Sequence, residues 1–189
     1  KTGETRLLRE LVNESMRLAP NDPSWPGYLA VLARQETDPR RAMEQMQAVW
    51  DKTRSPAALV DLVSMQIDAG LAEQAVALLT EQKQMVEQTP LLEALQGRAV
   101  YTLGQREDGM KQMARAAARV TTHEQLVDVR NVMVDAIGRP TASQLLARTA
   151  EARGEQGDGI RVLLAEMAAA DNDWTGALAQ LEPVRVDAL

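Results

Sequence analysis

The 189-residue chain has no cysteine and no phenylalanine, and aromatic residues make up only 3% of it. Without cysteine there is no disulfide framework and no thiolate to complete a zinc site. That absence fits an oxidising compartment and the cytosol equally. Runs rich in Val, Ile, Thr and aromatics are few, which argues against β structure. No apolar run approaches the roughly 18 residues that a membrane span needs. Positive charge is also short: the net charge is −6. That balance argues against nucleic acid or an anionic membrane as the main partner and permits a cationic or neutral one. No signal peptide is visible, and the chain starts at Lys1 rather than Met, so we read it as an excised fragment or mature segment.

What is present favours helix. Ala, Leu, Gln, Glu, Arg and Met dominate. The basic residues are mostly arginine, which points to a GC-rich bacterial source. Gly70, Gly104 and Gly138 recur at intervals of 34 residues, and one more step lands on Asn172. Glycine and, next to it, asparagine tolerate a left-handed backbone. A fixed period of this length in a helix-forming chain predicts stacked helical hairpins. Ala75, Gly109, Ser143 and Ala177 repeat at the same interval, five residues after each turn. Small residues at a fixed helix position let a neighbouring helix approach closely. One step back from Ala75 falls on Arg41, with the small residue at Ala42, so the first repeat is one residue out of register.

The breakers divide the chain into helices. A leading amphipathic helix over 5–18 carries Leu7, Leu8, Leu11, Val12, Ser15 and Leu18 on one stripe. It reads as the second half of a repeat, 5–20, whose first half was cut away or has diverged, so the array is expected to start within a repeat of a longer chain. Five hairpins follow, at 24–51, 55–87, 90–120, 122–153 and 158–182. Ser55 caps a helix with Pro56 at its first position. Ala72 to Glu87 is expected as one helix. Thr121 and Thr122, with Glu124 and Gln125, offer a capping box. Thr141 to Arg153 pairs with the helix ending at Ile137. The Gly154–Gly159 segment is a turn, with Asp158 as cap of the next helix.

These residues resemble the tetratricopeptide repeat family. The closest match is DAGLAEQAVALL at Asp68–Leu79. Trp25, Tyr28 and Leu32 match the start of a first helix, Gly97 the small mid-helix site (Val63, Asn131 and Ala165 in the corresponding places), and Pro20 the terminal proline. The resemblance runs from about residue 5 to 182. It implies an all-α, right-handed superhelical solenoid of antiparallel helix hairpins, forming one domain. Arg130, with Asn131 beside it, departs from the pattern, since the family usually has leucine at Arg130.

The resemblance also implies a binding groove lined by the first helix of each hairpin. Its register places Val60, Asp61, Ser64, Ile67 and Asp68 there, then Leu91, Ala94, Arg98 and Tyr101. Gln125, Asp128, Val132 and Asp135 follow, then Val162 and Glu166. Five acids against one arginine suit a basic or neutral partner, and they equally suit a solvated helix face. The Lys/Asn cluster with which some members of the family clamp a terminal carboxylate is absent.

Other features carry less chemistry. Asp61/Asp68 and Asp128/Asp135 are i, i+7 pairs, about 10 Å apart along a helix, too far to share one metal. His123, the only histidine, lacks partners for general-base or zinc chemistry and reads as a surface residue near a helix cap. GEQGDG lacks the Lys and Ser/Thr of a phosphate loop. Met43, Met46, Met65, Met110, Met113 and Met133 read as core fillers. Trp25 and Trp50 are large apolar anchors, Trp25 within its hairpin; Trp174 follows a turn, and exposure of Trp25 or Trp174 would mark a contact surface.

The chain therefore reads as a protein-interaction scaffold with no cofactor, no metal and no enzymatic constellation. Its expected partner is a protein or peptide, basic by preference. The second reading is a scaffold of a bacterial envelope polysaccharide assembly or secretion system. Cytoplasm and periplasm stay open. Repeat arrays host unrelated partners, so the fold alone does not select one.

Overall fold

The computed structural model describes residues 7, 10–12, 14, 15, 17, 18, 28, 29, 31, 32 and 38–184. The Pro20 turn and Trp25 lie outside them. Among the described residues every regular element is helical. Two compact units are present, 1–71 and 72–189.

The first unit contains α1 (Pro39–Thr53) and α2 (Pro56–Asp68). Asp38 caps α1 by accepting from the Arg40 N–H. Ser55 caps α2 by accepting from the Ala58 N–H at 3.3 Å, with Pro56 in the first turn as its fixed φ favours. Between the helices Arg54 takes a positive φ of 48°, unusual for a side chain with a Cβ. Its N–H closes on the Trp50 carbonyl at 2.8 Å, and its guanidinium lies 4.9 Å over the Trp50 ring. The two helices pack on each other, and Met46, Val49 and Trp50 of α1 and Leu59, Leu62 and Val63 of α2 are all essentially without solvent contact. The leading stripe differs from expectation. Val12 is buried, but Leu7, Leu11 and Leu18 are exposed.

The second unit runs α3 (Ala72–Glu81), α4 (Lys83–Gln88), α5 (Pro90–Thr102) and α6 (Arg106–Arg119). It continues with α7 (His123–Ile137), α8 (Arg139–Arg153), α9 (Asp158–Ala170) and α10 (Trp174–Leu181). Each of α5 to α7 packs on the next helix and on the next but one. The helix expected over 72–87 is broken at Gln82, which leaves helical geometry at φ −96°, ψ 31°. Just before the break, the Thr80 hydroxyl donates to the Val76 carbonyl at 2.7 Å, a back-bond that bends helices. Asp158 is not a cap. It is the first residue of α9, buried, with its carboxylate 2.8 Å from Arg161. Thr122 does cap α7, accepting from the Gln125 N–H at 3.3 Å.

All four positions of the 34-residue series have positive φ: 78° at Gly70, 90° at Gly104, 76° at Gly138 and 61° at Asn172. Three of them close the helix in the same way. The residue after the turn donates to the carbonyl five residues back: Leu71 to Gln66, Gln105 to Val100, Asp173 to Ala168. This is the wrap that satisfies orphan carbonyls at a helix end. Gly138 differs. Its ψ is 154°, a region essentially confined to glycine, and it serves α7 and α8 as terminator and start at once. Pro140 stands where α3, α6 and α10 begin with Ala72, Arg106 and Trp174, and proline fits a first turn, so α8 starts one residue early.

That early start moves the small site. Ser143 is only half-buried, and Ala142 takes the buried position, followed by Leu146, Thr149 and Ala150. Arg130 is half-buried and its Nε makes no hydrogen bond, while Asn131 is exposed. The α5 and α6 backbones approach closely where they cross. A Cβ on Gly109 would sit 2.6 Å from the Gly97 carbonyl and 2.7 Å from Tyr101, and a Cβ on Gly97 would sit 2.8 Å from the Gly109 carbonyl. The methionine reading holds for Met46, Met113 and Met133, which are fully buried. Met43, Met65 and Met110 are half-buried.

Helix propensity alone favours Gly109→Ala by about 1 kcal/mol. The backbone contact reverses that sign, and urea denaturation should show a loss of about 1–3 kcal/mol. Asparagine separates the two turn types. Gly104→Asn should cost under about 1 kcal/mol, as Asn172 occupies the same turn. Gly138→Asn should cost about 1–3 kcal/mol by the same measurement, because its ψ lies outside asparagine's range.

Candidate functional site

The candidate groove residues fall on first helices, three of them in the first unit and five in the second. In the first unit α2 carries Asp61 and Ser64, both half-buried, and Asp68, exposed; both aspartates have interaction partners. In the second unit Arg98 is half-buried on α5 and also engaged. Tyr101 is half-buried, packed against Gly109, with Arg106 5.9 Å over its ring.

Asp128 and Asp135 stand exposed on α7, two turns apart on one face, with no salt bridge among the described residues. Glu166 of α9 reaches the α7 start, where its Oε2 lies 3.4 Å from His123 Nε2. His123 is an exposed residue next to the Thr122 cap, as expected, and it also borders a cleft of about 430 Å³ with Arg153 and Gln156. Both partners are about half exposed, so the pair contributes little stability.

The strongest electrostatic arrangement involves Glu93, which was not among the expected site residues. It lies on α5 with 5% exposure. Arg115 Nε approaches one carboxylate oxygen at 2.5 Å and Arg119 Nη1 the other at 2.6 Å. The two arginines are one turn apart on α6, so both reach the same carboxylate. Arg119 also donates to the Glu87 carbonyl at the end of α4. A buried carboxylate needs such partners to stay charged. A signal existed. One period earlier the same position is Leu59, fully buried, so an acid stands at 93 where the preceding repeat has an apolar residue.

Trp174 is 64% exposed and Leu178 70%, one turn apart on α10. Trp174 is thus exposed, the condition under which it was expected to mark a contact surface. Among the described residues no three His, Asp or Glu side chains converge as a metal site, and no helix is long and apolar enough to cross a membrane. No protein-family model matches this chain, and no curated protein matches it significantly.

Removing the Glu93 charge while keeping its polarity strands two aligned guanidiniums. Glu93→Gln should cost about 1–3 kcal/mol, less than a fully buried bridge because both arginines reach solvent. Glu93→Leu, which restores the apolar residue seen one period earlier, should stay within about 1 kcal/mol of the parent in the same urea titration.

Proposed function

We propose that the chain is a tetratricopeptide-like helical repeat module that serves as a protein-interaction scaffold rather than an enzyme. Three observations support the repeat reading. The turns at Gly70, Gly104 and Asn172 share one hydrogen-bond pattern at a fixed interval. Small residues sit at the α5–α6 crossing. Helices in the second unit pack on their sequence neighbours, as stacked hairpins do.

The observation that carries the binding reading is on α7. Asp128 and Asp135 are exposed on one face of α7 with no salt bridge among the described residues, and His123 at the start of that helix meets Glu166. Two uncompensated carboxylates about 10 Å apart along a helix suit an extended basic segment, which could place a cation against each. A lysine-rich peptide should bind with salt-sensitive affinity. Asp128→Lys with Asp135→Lys should weaken fluorescence-anisotropy binding by about tenfold or more. Binding unchanged by that reversal would contradict the proposal.

A further inference from the structure

A cleft of about 370 Å³ opens among α3, α4, α5 and α6, sharing no residue with the α7 face. Leu79 and Val86 give it an apolar part. Its charged groups are Lys83, Arg115 and Arg119 against Glu87 and Glu93, which leaves one cation in excess.

The two arginines are held rather than loose. Glu93 is buried and fixes Arg115 through Nε and Arg119 through Nη1. Arg119 is fixed a second time by the Glu87 carbonyl. Among the described residues Arg115 is engaged only through its Nε, so both of its terminal amino groups stay available, and 65% of its side chain is exposed. Lys83 Nζ lies 3.8 Å from Glu87, a loose contact that a stronger acceptor can replace. Guanidiniums preoriented by a buried carboxylate lose little freedom when they accept a ligand.

We propose that this cleft binds an oxyanion, a carboxylate or phosphate group, between Arg115 and Lys83, with Arg119 completing the positive wall and Glu93 acting as the positioning residue. A forked guanidinium offers two parallel N–H donors to two oxygens of such a group. The apolar part of the cleft accepts the aliphatic stem of an acidic side chain.

The test follows the arginine side-chain Nε–Hε resonances of the full chain by NMR at constant ionic strength. One titration uses inorganic phosphate and another a hexaglutamate peptide. Saturable shifts of Arg115 and Arg119 with phosphate support a site for a free oxyanion. Saturable shifts with the peptide alone support a site for an acidic protein segment. In either case Arg115→Gln should weaken binding about tenfold, the loss of a charge-assisted contact. Lys83→Gln, which leaves the Glu93 pairs untouched, should weaken it several-fold. Shifts absent or unsaturated with both probes, or affinities unchanged in both variants, would overturn the proposal.

Discussion

A positive φ just past a helix end is the constraint on which the rest depends. It turns the chain back within two residues and lets the residue after the turn reach a carbonyl five positions earlier. At Gly104 this brings α6 back onto α5, close enough for the Gly97 and Gly109 backbones to touch. Contact at that distance removes water from both helices and buries Leu92, Leu95 and Met113 around the crossing. Each such side chain contributes about 1.5–3 kcal/mol of burial. The same crossing places Arg115 and Arg119 over Glu93, so the charge chemistry of the second unit follows from the turn geometry.

The two charged regions of that unit rest on different physics. At Glu93 burial demands compensation, and two arginines supply it with donors to spare. On α7 the aspartates stay in water, where charge is inexpensive and no partner is required. The first arrangement is preorganised for an anion and the second leaves negative charge open to a cation. A scaffold carrying both could engage one partner through each, without either contact disturbing the other's residues.

Much of the helix pattern was legible because capping and turn residues act locally. Ser55, Pro56 and Thr122 do what their side-chain chemistry dictates. The slip from Ser143 to Ala142 was also encoded, in Pro140, but it appears only once one asks where α8 can begin. Asp158 was misread because an acid after glycine suits a cap, whereas Arg161 draws its carboxylate into the first turn of α9. Glu93 lay hidden for a different reason. Its partners are 22 and 26 residues away, on a helix that reaches it only through the tertiary crossing. Of the five acids expected to face a groove, Asp61, Asp68 and Glu166 have partners, while Asp128 and Asp135 are exposed with no salt bridge among the described residues.

The central claim is that the α7 face receives a basic protein segment. Carboxyl footprinting, in which a carbodiimide couples an amine to exposed acids and mass spectrometry reads each site, tests it most directly. On addition of a saturating lysine-rich peptide, labelling of Asp128 and Asp135 should fall sharply. Glu107, exposed on α6 beside Lys111, should label as before. Asp128 and Asp135 that stay as reactive as in the free chain, with the peptide bound, would contradict the account.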